Sequence, residues 1–557
     1  MELIQGRNYF VSVTDTVLRE TKIKSSKALN HLLLGDWMRY LGEQSASKAK
    51  MRCRGCTGWV DKKHFSDKRL LEINFIDIGQ GDGCHIVTPD DQIILVDAGE
   101  GNNMHRFLSW RYNLRKMKVV GVDGISSNDA GTRNPIDIDH IVISHPDKDH
   151  YYGFKQIFEN HKLKPLKIYH NGIVERPIVK AEQDPDLRYY SNDDLGGYAN
   201  QDAEHYVWDV IHNNADMHSI IVKYNATSKN YLSTLRAARE NNKSVKFASL
   251  NKSLNSSLSG TGEFMPGFED DKSLKMKVLG PLTENVSFKG KIKPALMRLG
   301  AEGVTKNGHS VILQAQIGKL KVMLGGDLNT QSEDYLLKHY GDTNKIVSEL
   351  EERLYELQAK GNNTTPDERH EIAQLETEIN AIIAKARPHF EVDVTKACHH
   401  GSHHFSETFL RTLNPIATVI SSGDGESYSH PRPDALGSIG KYGRGIRPLI
   451  FSTELARSTN EFCEVFKYFE LLKDYEKRIA EAPNVAAKKK IEKEMQQKKD
   501  RNVAVYGMIT LRTDGEKTIL AQKLEAPRKL SEKWDIHELQ FNPNTGAMEY
   551  LRSAKAH

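Results

Sequence analysis

The stretch Ile138-Asp-His-Ile-Val-Ile-Ser-His-Pro-Asp-Lys-Asp-His150 passes from an apolar run into a loop crowded with ionisable side chains. Ile138–Ile143 has the composition of a strand, and Tyr152–Asn160 behind the loop reads as a short helix. Strand, polar loop, helix is an order that collects reactive side chains at the end of a sheet. Within the loop, H-x-D-x-D-H alternates imidazole and carboxylate, so alternate side chains can face two adjacent metal positions. Imidazole with carboxylate suits zinc, and a carboxylate-rich set also suits manganese. The competing reading is a solvated loop with incidental histidines.

Working outward, other strand ends carry the same kinds of group. Upstream, Leu71–Gly99 holds three runs rich in Ile and Val, broken by Gly- and Asp-containing turns, and ends in Asp97. Downstream, Lys275–Pro281 reads as a strand. Val311–Gln316 and Lys321–Leu324 read as a hairpin turning at Gly318 and running into Asp327. The strand VDVTKA then delivers His399-His400, and ATVISSGD leads to His430. Between Asn344 and Arg387, apolar residues recur at three- and four-residue spacing around a turn containing Pro366. This predicts a helical hairpin, either a protruding arm that mediates self-association or partner binding, or two helices packed on the core.

The flanks are less informative. Residues 1–70 read as a basic, weakly periodic extension containing Cys53, Cys56 and His64. A lone C-x-x-C without a second pair is a weak zinc signal beside the reading of two ordinary thiols. Residues from about 160 to 300 are polar, with Ser- and Asn-rich loops near Asn251–Ser259. The last hundred contain a charged helix with basic runs Lys488–Lys490 and Lys498–Arg501, and a hairpin turning at Asp514-Gly515. The basic runs read as a solvated helix face or as phosphate contacts.

The chain has 557 residues, 27% charged and 38% hydrophobic, with 78 basic against 74 acidic residues. A net charge of +4 neither demands nor excludes nucleic acid, so any anion-attracting field must be local. Five cysteines are too few for a disulfide framework, which makes a reducing cytoplasm the expected setting. No apolar run approaches the length of a membrane span, and no signal-peptide pattern is present. Histidine is the informative count: 23, several clustered with carboxylates.

Six motifs in order resemble the metallo-β-lactamase fold, and within it the ComEC-like branch, named for the hydrolase domain of DNA-uptake channel proteins. They are Ile76-Asp-Ile-Gly-Gln-Gly-Asp82, Leu95-Val-Asp-Ala-Gly99, Ser144–His150, Asn307-Gly-His-Ser-Val-Ile-Leu313 with the following Gly-Gly-Asp327, Lys396–Ser406, and Ser427–Leu436. The resemblance implies an α/β protein, an αβ/βα sandwich over residues 71–450 with inserts at about 160–300 and 344–387. An N-terminal extension (1–70) and a C-terminal helical and β-hairpin extension (451–557) would flank it. It also implies two divalent ions, zinc or manganese, at one edge. His145 and Asp147 would hold metal one, with His309 as candidate third ligand. Asp149, His150 and one of His399 and His400, with His399 favoured, would hold metal two. Asp327 would bridge, while Asp82 and Asp97 would orient ligands. The middle position of the loop motif is Asp147, where lactamases and glyoxalases of this fold carry histidine; the ComEC-like branch shares the replacement.

The expected function is a cytoplasmic metal-dependent phosphodiesterase, a nuclease acting on DNA through a hydroxide bridging two metals, in bacterial defence or DNA processing. Asp149 is the candidate catalytic ligand. His430 is the candidate general acid, with phosphate contact and a structural imidazole as alternatives. His403 and His404 are candidates for the rim; Ser402 and Ser406 either bind phosphate or cap the next helix. Two other readings stand beside this one: a hydrolase of small esters or cyclic nucleotides, and a non-catalytic binding subunit.

Overall fold

The computed structural model describes residues 2–551 apart from 80, 123, 128, 178–193, 226–228, 255–262, 424–427, 455–464, 501–506 and 525–526. The Ser- and Asn-rich tract near 251–259 falls partly outside the described residues, as do the side chains of the basic run 498–501.

Two sheets face each other. The first has ten strands, in the order 246–249, 167–170, 140–143, 93–98, 83–87, 71–75, 509–513, 517–523, 534–542, 547–551. The second has six, in the order 274–280, 312–317, 320–324, 394–396, 417–420, 449–452. Their central strands are buried on both faces, as Ile93–Ala98 is, because one face meets the other sheet and the second meets helices. Ile73, Phe75, Val142 and Leu511 from the first sheet interlock with Val278, Leu313, Val322 and Val419 from the second. Outside the first sheet pack the helices Asn103–Arg111, Phe154–Glu159, Asn214–Lys223 and Asn230–Asn241. Outside the second pack Thr330–Tyr340, Val347–Gln358, Pro366–Phe390 and Glu407–Leu413. The result is the four-layer αβ/βα sandwich that the motifs imply.

Two parts depart from expectation, and a third takes one of its two expected forms. Residues 1–70 are more than a basic, weakly periodic extension: Asn8–Val11 through Phe65–Ser66 form a seven-stranded antiparallel sheet with its own core of Tyr9, Leu18, Leu32, Met38 and Met51. Cys53 and Cys56 face each other across one of its hairpins, and neither joins a metal-ligating group among the described residues. His64 bonds Thr16 Oγ1 at 2.8 Å. Nor do the C-terminal strands form a separate unit beginning at 451. Ile509–Thr513 pairs antiparallel with Leu71–Phe75 and extends the first sheet. Third, the 344–387 insert is a helical hairpin, but Val347, Ile382, Ala386 and Phe390 bury it against the second sheet, and only its outer turn projects. Within the polar insert, 198–201, 204–207, 252–253, 282–288 and 291–297 make a small sheet of their own. No helix among the described residues is long and apolar enough to cross a membrane.

Candidate metal centre

The strands 93–98, 140–143 and 167–170 run parallel, as do 320–324, 394–396, 417–420 and 449–452. Parallel strands put their carboxyl ends on one edge of the sandwich. Asp97, His145–His150, Asp327 and His400 follow four of those ends and meet there. Gly81, just before Asp82, meets the loop that carries Asp149. Gly81 has φ +99°, and a Cβ on it would stand 1.7 Å from the Asp149 carbonyl oxygen, so only glycine lets the two loops touch.

Asp327 is the hub. Its Oδ2 lies 3.1 Å from His150 Nε2 and 3.0 Å from His400 Nε2. His145, His150 and Asp327 form one group of converging ligand atoms; Asp149, His150 and His400 form a second. The far nitrogens are held in turn. Asp97 Oδ2 bonds His150 Nδ1 at 2.9 Å, while its Oδ1 accepts from the Ser144 amide. His400 Nδ1 lies 3.1 Å from the Ser421 carbonyl and 3.3 Å from Asp82 Oδ1. Ser144 and Ser310 hydroxyls sit 3.0 and 3.2 Å from His145 Nδ1. Imidazoles fixed on one nitrogen present the other to a metal. Asp97 thus stands beside His150 Nδ1 and Asp82 beside His400 Nδ1.

Two expected ligands are elsewhere. His309 turns its Nε2 to the Met297 carbonyl at 2.6 Å, and burial lowers it to about 4. Asn307 stands beside this loop instead: one end of its side-chain amide lies 2.9 Å from Asp147 Oδ2 and 3.3 Å from His145 Nε2. Of the histidine pair, His400 joins the cluster and His399 does not. Both have left-handed backbone, φ 47° and 54°, and that local turn sends the second ring inward.

Sequence reasoning also passed over two lysines. The buried Lys396 ammonium donates to the Gly326 carbonyl at 2.9 Å, contacts Asp82, and lies 3.6 Å from Asp327 Oδ1. Lys306 Nζ lies 3.0 Å from Asp147 Oδ1 and 2.8 Å from Glu175 Oε1. Lys396 at the end of the buried strand Val394–Lys396 was the available signal, since buried charge requires a partner.

The electrostatics favour a cation. Burial opposes charge on His150, yet Asp327, Asp97 and Asp149 raise it well above the ordinary imidazole value. His400 is lifted to about 10 against the same opposition, by Asp327 and Asp82. His145 falls to about 3 through burial and the neighbouring His150, so it is a neutral ligand. Burial would raise Asp327, but His150 and His400 hold it well below the carboxylate range. Among the described residues, His150 Nε2, His400 Nε2, Asp327 Oδ1 and Asp82 Oδ1 are buried without a hydrogen-bond partner. A field that draws protons onto two buried imidazoles is one that divalent ions satisfy better, so the donor set fits metal.

A family model described as the metallo-beta-lactamase superfamily matches residues 84–212. The chain carries a metallo-beta-lactamase superfamily domain. No curated protein matches the chain. The match spans the strands and loop that supply His145, Asp147, Asp149 and His150. Asp327 and His400 lie beyond the matched residues.

Around this centre, His430 stands 6.1 Å from the His400 ring and 5.7 Å from the His399 ring, centroid to centroid. Burial, with His400 and His399, lowers it to about 4. His403 and His404 are exposed on the rim. Ser402 and Ser406 serve the backbone: Ser402 Oγ accepts from the His404 amide at 3.1 Å, and Ser406 Oγ caps Glu407–Leu413 by accepting from the Phe409 amide at 3.2 Å.

Proposed function

We propose that this metallo-hydrolase is a phosphodiesterase of the ComEC-like kind, a nuclease acting on DNA in the cytoplasm. The observation that carries the reading is two converging imidazole–carboxylate groups that share His150, with Asp327 against both His150 and His400 and an aspartate, Asp147, at the middle loop position. Two ions, zinc or manganese, would be held by His145, Asp147 and Asn307 on one side and by Asp149, His150 and His400 on the other, with Asp327 between them. When bound, such ions supply Lewis acidity to a phosphoryl oxygen and acidify water toward neutrality.

The chain's own residues do the rest. Asp97 and Asp82 fix which nitrogen His150 and His400 present. Lys396 and Lys306 offset part of the carboxylate charge, which lets an anionic phosphodiester approach. His430 sits one ring beyond His400, where a departing alkoxide needs a proton. Its Nδ1 is buried. Burial and the neighbouring His400 and His399 disfavour a proton on this ring, whereas a bound phosphodiester anion beside it would favour one, taken from solvent and passed to the departing alkoxide. A stand-alone nuclease suits bacterial defence or DNA processing, and the exposed outer turn of the helical hairpin is the surface we assign to self-association or a partner.

The test is cleavage of plasmid, linear duplex, single-stranded DNA and RNA after chelation and reloading with zinc or manganese. Activity should vanish on chelation and return with metal, and elemental analysis should approach two ions per chain. Cleavage confined to bis-p-nitrophenyl phosphate or a cyclic nucleotide would replace the nuclease reading with that of a small-ester hydrolase.

A further inference from the structure

Four rings run in succession from the metal centre to the surface. His150 and His400 have centroids 5.4 Å apart with planes inclined 35°. His400 and His430 follow at 6.1 Å and 30°, then His430 and Tyr428 at 5.9 Å and 18°. The series starts at a fully buried ligand and ends at a tyrosine that is 66% exposed. That last ring contributes little to any core, yet it is nearly parallel to a ring of the site. Its turn is tied to the ligand loop: the Arg432 amide donates to the Gly401 carbonyl at 2.8 Å, and Gly401 packs on Pro431. The surface ring therefore keeps a set position relative to His400.

We propose that Tyr428 is a stacking platform for an unpaired nucleobase beside the scissile phosphate. This rests on the phosphodiesterase reading of the metal centre. A phosphate seated over the ligands must send its flanking nucleosides outward, and the ring series marks one way out. A nucleobase is the substrate part whose flat π-face matches an exposed ring continuing that series. Stacking of this kind tolerates every base, so it gives grip without sequence preference. A base inside a duplex has both faces covered by its neighbours, so the platform selects single strands, frayed ends or extruded nucleotides.

Two measurements on the zinc-loaded full chain test this. The first follows the fluorescence of 2-aminopurine placed at successive positions of a hydrolysis-resistant phosphorothioate oligodeoxyadenylate. Wild type and Tyr428→Phe should quench it at one position, and Tyr428→Ala should not. The second compares kcat/KM on ordinary oligodeoxyadenylate and on the same strand built from abasic nucleotides. Loss of one base–aromatic stack corresponds to about 5- to 150-fold. Tyr428→Ala should lose that much on the intact strand and far less on the abasic strand, with Tyr428→Phe keeping most of the rate. Quenching retained in Tyr428→Ala, quenching at no position in wild type, or equal losses on both strands would overturn the platform. A strand that binds with its base quenched but is not cut would sustain the platform and overturn the nuclease reading.

Discussion

Asp149 and His430 test the chemistry from opposite sides. Asp149→Ala removes a ligand of metal two, and phosphodiester cleavage should disappear together with about one bound ion per chain; unchanged activity would refute the dinuclear assignment. His430→Ala keeps every ligand and should retain metal. General acids contribute about 10²–10⁴-fold, and p-nitrophenolate needs little help to leave. The variant should therefore lose far more on DNA than on bis-p-nitrophenyl phosphate, and equal losses would recast His430 as a phosphate contact. Lys396→Gln probes charge compensation: Asp82 and Asp327 would face each other without their cation. Breaking a buried pair from one side typically costs about 3–5 kcal/mol. The metal-free variant should melt well below the metal-free wild type, and metal should narrow that gap by supplying the missing positive charge; a gap that metal leaves unaltered would place Lys396 outside the site's electrostatics. At this scale the ligand types and the edge they share were legible, because each follows a recognisable strand. Which member of the His399-His400 pair turns inward was not, since it depends on two left-handed backbone conformations that no spacing reveals. His309 misled because the helix Glu302–Gly308 ends just before it, and the turn there aims Asn307 at the site instead.

The inserted hairpin has more to do than its amphipathic spacing suggests. Glu351, on Val347–Gln358, accepts from Ser406 Oγ at 2.9 Å and from the Thr408 amide at 2.6 Å. Glu333, on Thr330–Tyr340, accepts from the Ser406 amide at 2.5 Å. Together they clamp the far end of the loop that begins with His400. Replacing residues 344–387 with a Gly-Ser linker should therefore lower metal affinity as well as stability. Glu351→Ala should raise hydrogen exchange across 400–408, while Glu351→Gln, which still accepts both bonds, should stay near wild type. Matched exchange in all three proteins would mean the clamp is incidental. The heptad-like spacing exposed the helices, but burial of Ile382 and Phe390 follows from where the second sheet leaves its outer face bare, and that is tertiary information. The N-terminal sheet was harder still. Its strands are short, and Gly35, Gly42 and Gly55 interrupt their alternation at the turns and bulges that fold them back.

Across the whole molecule, a buried ionic network joins the N-terminal sheet to the sandwich. Arg512 donates to the Leu34 carbonyl at 3.0 Å and to Asp36 Oδ1 at 2.7 Å, and lies 3.7 Å from Glu72. Arg111 meets Glu72 at 2.8 Å, and Arg54 meets Asp36 at 2.6 Å. Burial alone would raise both carboxyls. The arginines prevail: Arg54 and Arg512 hold Asp36 below its ordinary 3.8, and Arg111 and Arg512 hold Glu72 below its ordinary 4.5. Groups depressed in the folded state stabilise fully above their unfolded values. As pH falls below about 4 the unfolded chain takes up those protons first, so stability drops. Thermal melting from pH 6 down to pH 3 should show a steep decline below pH 4.5, and Arg512→Met should flatten it while lowering the melting temperature at neutral pH. An equally steep decline in that variant would assign the acid sensitivity to other carboxylates.

The pairing of Ile509–Thr513 with Leu71–Phe75 also sets a schedule for biosynthesis. Thr510 hydrogen-bonds Asn74 across 436 positions of chain, and Arg512 reaches Asp36 across 476. While the ribosome is still translating the metal ligands, Leu71–Phe75 waits as an unprotected edge, the kind of surface that invites chaperones or wrong neighbours. The sandwich is sealed, and the N-terminal sheet latched to it, only after Ile509–Thr513 has been made. A polypeptide terminated before Ile509 would hold every histidine and aspartate of the candidate site and still lack the strand that closes the first sheet. Release of the chain's chemistry is thereby tied to completion of its fold.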